Sequence, residues 1–208
     1  MPPIEILLAE FAILVFSLSF HEMAHAWTAN RLGDPTARLL GRLTINPLAH
    51  IDLIGTVVFP LVAMFSGIPL IGWAKPVPVD MGRLRDPRRD FALVAAAGPA
   101  SNLLLASAAA LLFHVLAGPA ALPAAAGATA EVLRFFVLIN ILLAVFNMIP
   151  VPPLDGGNVL MGLVPERAAL SIDWLRPYGF VILYVLMFSG ALFQIIWPVS
   201  RALIALLL

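Results

Sequence analysis

The 208-residue sequence predicts a mainly α, polytopic membrane protein in one domain, residues 1–208. About four transmembrane helices are expected, with a re-entrant loop and a short β-strand element near the cytoplasmic face. Three observations carry this reading. First, 62% of residues are hydrophobic and 12% charged, with a mean hydropathy of +1.00. Soluble domains hold about 45–50% apolar and roughly 25% charged residues, so lipid must cover part of this surface. Second, four apolar stretches reach the roughly 20 residues a spanning helix needs. Third, the scarce basic residues are placed asymmetrically along the chain. Twelve Lys and Arg balance twelve Asp and Glu, which gives a nucleic-acid partner no electrostatic support. There is no cysteine, so any metal or nucleophile chemistry must use His, Asp, Glu, Ser or Thr.

The first span is expected over residues 4–32. A cleaved signal peptide would carry a basic leader, whereas Glu5 and Glu10 stand here. The second span covers about 91–117, the third about 131–149 and the last about 178–208, with a core at 4–157. Arg31, Arg38 and Arg42 follow the first span; Lys75, Arg83, Arg85, Arg88 and Arg89 precede the second; Arg167 and Arg176 precede the last. The positive-inside rule places these ten charges in the cytoplasm and residues 118–130, which lack any, outside. A shorter apolar stretch, 53–71, is interrupted by Pro60, Gly67 and Pro69. A full crossing there would strand the five basic residues that follow it, so it is expected to dip and return. Both termini then lie outside. Between the first span and the dip, Ala37, Leu39, Leu43 and Ile45 alternate with Thr36, Arg38, Arg42 and Thr44. That period of two predicts a strand, broken at Leu40 and Gly41.

The chemistry sits in the first span, where His21, Glu22 and His25 form an H-E-x-x-H. On a helix, positions i and i+4 share a face. Both imidazoles can therefore take adjacent corners of one zinc tetrahedron, with the glutamate as general base. Three ionisable groups within five residues of a membrane helix each cost about 2.5–3.5 kcal/mol at its centre, which calls for a compensating function.

A catalytic zinc needs a third protein ligand. His50 lies in the inner loop, and His114 lies near the outer end of the second span, at the wrong depth. Asp155 is the better candidate. It ends the run N-M-I-P-V-P-P-L-D at 147–155 and precedes Gly156 and Gly157. The prolines stop the third helix near Ile149, and the glycines permit close backbone approach. At a helical rise of ~1.5 Å per residue, His21 lies roughly 25 Å along the first span and Ile149 roughly 27 Å along the third. Asp155 can then meet His21 and His25 near the inner face.

These residues resemble the site-2 protease family of intramembrane zinc metalloproteases. Beside the H-E-x-x-H and the N-x-x-P-x-P-x-L-D-G-G at 147–157, the segment 98–102, G-P-A-S-N, is similar to that family's G-P-x-x-N. Segments 33–47 and 72–77 resemble its small bacterial and archaeal members, those without the PDZ or CBS domain of larger relatives. The resemblance implies one Zn²⁺ ion bound by His21, His25 and Asp155, with Glu22 as catalytic base. It also implies a transmembrane protein substrate, cut within or near its membrane helix. A multi-pass protein of a bacterial plasma membrane is expected, or an archaeal one, with its active site near the cytoplasmic face.

Hydrolysis also needs donors for an oxyanion. Asn147 and Asn102 are the candidates, Asn147 lying nearer Asp155, whereas Asn140 reads as helix glue. An unwound substrate is expected to pair with the edge of the predicted strand. A metal transporter and an inactive relative that binds membrane proteins are the competing readings. The oligomeric state is not legible.

Overall fold

The computed structural model describes residues 4–66, 72–117 and 127–208. Among these, four helices are long and apolar enough to cross a membrane: Glu5–Leu32, Pro87–Leu116, Thr129–Asn147 and Glu166–Phe188. Helix α1 (Ile4–Leu32) contains no Gly or Pro and ends on Gly33, at φ 116°. The Asp34 N–H then returns to the Ala29 carbonyl at 2.9 Å, the six-to-one bond of a glycine-terminated helix.

The expected strand does not form, and with it goes the proposed substrate-pairing edge. Residues Thr36–Leu39 make a single helical turn, α2. Asp34 starts it by accepting the Thr36 N–H at 2.9 Å. The alternation reflects a turn that exposes Leu39 (71%) and buries Arg42 (6%), the reverse of a strand with an apolar inner face. Arg42 is drawn in by the Lys75 carbonyl.

The stretch 53–66 is helical throughout, π-helical over Leu53–Val58 and then α-helix α3 (Phe59–Ser66). The expected return of this dip falls on 67–71, outside the described residues, so no re-entrant loop is established. Residues 72–80 have no regular secondary structure and pair with no strand among the described residues.

Helix α4 (Pro87–Ala117) begins with proline at its first position. Asp86 and Asp90 cap it reciprocally: Asp90 Oδ2 accepts the Asp86 N–H at 3.0 Å, and Asp86 Oδ1 accepts the Arg89 N–H at 3.4 Å. Helix α5 (Ala128–Asn147) packs on α4 through Ala106, Ala109, Ala110, Val137 and Ile141. Small residues on α4 allow the close approach that membrane helices need in place of a hydrophobic drive.

Helices α6 (Asp155–Leu163) and α7 (Glu166–Asp173) follow. The expected last span at 178–208 is two helices, α8 (Gly179–Phe188) and α9 (Ala191–Leu207). Gly190, at φ 77°, breaks them apart. The fourth candidate span, Glu166–Phe188, is instead α7 and α8 taken together, joined through the helical turn Arg176–Tyr178.

Candidate metal centre

His21 and His25 lie one turn apart on α1, and their Nε2 atoms are 3.0 Å from each other. Asp155, in the first turn of α6, reaches both: its Oδ2 is 3.1 Å from His21 Nε2 and 3.4 Å from His25 Nε2. A tetrahedron with metal–ligand bonds of about 2.0–2.1 Å has edges of about 3.3 Å, close to all three separations. The outer nitrogens fix the tautomers. His25 Nδ1 lies 2.7 Å from the Val94 carbonyl, which only accepts, so this nitrogen carries the proton. His21 Nδ1 donates to Asn102 Oδ1 at 2.6 Å. Both Nε2 lone pairs then face a buried Asp155 Oδ2 that has no hydrogen-bond partner. Three lone-pair donors crowded this closely repel unless a cation sits among them. The donor set therefore fits a zinc ion.

The local sequence explains the convergence. A Cβ on Gly98 would sit 2.5 Å from His21 Nε2, so α4 can pass the imidazoles only with glycine there. On the other side, a Cβ on Gly157 would meet Pro152 N at 2.6 Å, and one on Gly156 would meet the Ile149 carbonyl at 2.6 Å. The glycine pair lets α6 fold back on the proline turn and aim Asp155 at α1.

Glu22 stands beside this set, with a carboxylate oxygen within 4.8 Å of both imidazoles. Its Oε2 accepts the Val77 N–H at 3.2 Å. Residues 72–80 thus form a strap across the site, pinned at several points. The Trp73 N–H bonds the Gly55 carbonyl at 3.2 Å and the Lys75 N–H bonds the His50 carbonyl at 2.8 Å. The Asp80 N–H bonds Asp34 Oδ2 at 2.7 Å. The Trp73 ring lies on Gly55 and packs on Phe180 at 5.3 Å between centroids.

A cavity of about 650 Å³ opens onto His21, Glu22, His25 and Asp155, walled largely by apolar side chains. Asn147 lines it and donates one N–H to the Leu143 carbonyl at 2.9 Å. Asn102 does not line it: fully buried, with its amide committed to His21, Asn140 and Ser17, it has no donor for an oxyanion. His50 is also away from the metal set, its nitrogens facing the Thr44 carbonyl and Arg42. His114 Nε2 donates to the Leu207 carbonyl at 2.8 Å. The sequence reading missed the roles of Gly98 and of the strap. Only the G-P pair at 98–99 and the W-A-K-P-V at 73–77 pointed to them.

Two imidazoles and a carboxylate converging beside a second carboxylate, inside apolar helices, define a multi-pass membrane protein with a metal-dependent hydrolytic site. Residues 113–189 match peptidase family M50. The chain is 36% identical over 191 residues to YwhC of Bacillus subtilis (strain 168), whose name describes a zinc metalloprotease. That match covers 91% of this chain and 84% of YwhC. It is 30% identical over 179 residues to Rip2 of Mycolicibacterium smegmatis (strain ATCC 700084 / mc(2)155), also named for zinc metalloprotease activity. There the shares are 86% of this chain and 66% of Rip2. No solved structure matches. The chain belongs to peptidase family M50, the site-2 protease family of zinc metalloproteases.

Proposed function

We propose that this protein is an intramembrane protease that cuts a peptide bond within or near a transmembrane helix of a membrane-protein substrate. One zinc ion would be held by His21 Nε2, His25 Nε2 and Asp155 Oδ2. The observation that carries the reading is the convergence of these three donors beside Glu22 on one apolar-walled cavity. Bound there, zinc supplies Lewis acidity that acidifies a water and polarises the scissile carbonyl.

Glu22 is the general base: it takes the attacking water's proton and delivers it to the leaving amine. The Val77 N–H orients its carboxylate. Asn147, with one amide hydrogen beyond its bond to Leu143, is the candidate donor to the oxyanion or to the substrate backbone. The apolar walls suit a transmembrane segment and lower the local dielectric, which strengthens each of these polar contacts.

The topology that best fits the charges puts both termini outside and the site near the cytoplasmic face of a bacterial plasma membrane. The helical stretch 53–66 would rise only about 21 Å along its axis, short of a bilayer core of about 30 Å, and in this reading it dips and returns.

The test is cleavage of a designed transmembrane substrate by wild type and Glu22→Gln, with zinc content measured on both. The reading expects normal zinc and a rate lower by about 10²–10⁴-fold in Glu22→Gln. Retained cleavage at normal zinc would remove the general base. Transport of zinc without any cleavage would favour a transporter.

A further inference from the structure

Buried polar side chains inside a membrane bundle need an explanation, and three lie together one turn from the metal set. Ser17 on α1, Asn102 on α4 and Asn140 on α5 are each fully buried. Ser17 precedes His21 by four residues and so shares its helix face. Asn140 donates from Nδ2 to the Phe136 carbonyl at 2.9 Å and to Ser17 Oγ at 2.9 Å. Its Oδ1 accepts from Asn102 Nδ2 at 2.8 Å. Asn102 Nδ2 also faces the Ser17 carbonyl at 3.4 Å, and its Oδ1 accepts from His21 Nδ1 at 2.6 Å.

The polarity of this chain is forced from one end. The Phe136 carbonyl can only accept, so the NH₂ of Asn140 must face it. Asn140 Oδ1 then faces α4 and requires a donor, which fixes the NH₂ of Asn102 towards it. Asn102 is left presenting its carbonyl oxygen to His21. That oxygen accepts only a protonated Nδ1, which leaves the lone pair on Nε2, the atom aimed at Asp155. Flipping either amide sets oxygen against oxygen at one end, at side chains that are fully buried.

We infer that Asn140 and Asn102 are positioning residues: an amide relay anchored on the Phe136 carbonyl fixes the tautomer and ring orientation of His21, and so prepares the zinc site. The inference rests on the zinc-protease reading above. Neither asparagine touches the metal position; Asn102 acts through His21, and Asn140 acts through Asn102. A carbonyl partner of this kind on a ligating histidine raises its basicity, and its loss typically weakens metal binding by about 10–100-fold.

The experiment uses the full chain in lipid nanodiscs. Zinc affinity is read by competition with a chromophoric chelator, and the histidine ring nitrogens are read by selective ¹⁵N labelling. Asn102→Leu is expected to weaken zinc by about 10–100-fold, and Asn140→Leu by about 10-fold, with the His21 ring signal divided between tautomers. Asn102→Asp, neutral in this buried position, can donate its carboxyl O–H to Asn140 Oδ1 and keep its carbonyl oxygen as the acceptor for His21, and is expected to bind zinc within about threefold of wild type.

A packing role predicts the opposite order, because leucine would be tolerated and a buried carboxyl group would not. Unchanged zinc affinity in both leucine variants, or an Asn102→Asp as weak as Asn102→Leu, overturns the relay. Asn140→Ser, too short to reach Asn102, replaces a leucine variant that does not fold, with the same weakening expected. A wild-type protein that binds no zinc overturns the underlying reading. Tight binding by wild type and relay variants alike overturns the relay alone.

Discussion

The backbone N–H of Val77 donates to Glu22 Oε2 at 3.2 Å, linking a residue of the strap to one 55 positions earlier in the chain. The proposed base is therefore oriented from outside its own helix. Val77→Pro removes this donor. Zinc content is expected to stay normal and kcat to fall about tenfold, the effect of loosening a general base. Unchanged kcat in steady-state cleavage would show that the bond does not orient Glu22.

Asp34 anchors the far end of the strap. Burial works against its ionisation, but the Thr36 hydroxyl and N–H, the Asp80 N–H and nearby Arg83 hold its carboxyl below the ordinary value. A carboxyl lowered in the folded state contributes stability that is complete above its unfolded pKa. That stability is lost as pH falls from there through the folded value. Thermal unfolding in detergent should therefore show an acid-side decline below about pH 4 that is shallower in Asp34→Asn. At neutral pH, Asp34→Ala should lower the midpoint by about 2–6 °C.

Gly98 gives a steric prediction. Its missing Cβ is what lets α4 pass the imidazole pair, so Gly98→Ala should displace His21 or His25. Zinc affinity is expected to fall at least about tenfold, as for other losses of ligand orientation. Chelator competition measures it, and a wild-type affinity would refute the contact.

The parts of this site that were legible in the sequence are those set by local rules. The i, i+4 spacing of His21 and His25 needs nothing beyond helical geometry. Asp155 was readable because prolines must end α5 and glycines must admit close backbone, and both happen. What could not be read depends on partners distant in sequence. The strap is held by Gly55, His50, Glu22 and Asp34, none of which marks residues 72–80 by periodicity. Asn102 looked like an oxyanion donor because a polar residue in a span announces a role without announcing its direction. The misread strand has the same origin: Arg42 is buried by one carbonyl from the strap, which no pattern within 36–45 encodes. The break at Gly190 escaped because the apolar run continues through it, so hydropathy hid what a glycine in the left-handed region imposes.

The central claim is that His21, His25 and Asp155 hold one zinc ion, and zinc K-edge X-ray absorption on the purified wild-type protein tests it most directly. The account predicts one zinc per chain in a nitrogen and oxygen shell at about 2.0–2.2 Å, with the scattering signature of two imidazoles. A protein without stoichiometric zinc, or a shell with fewer than two imidazoles, would contradict it.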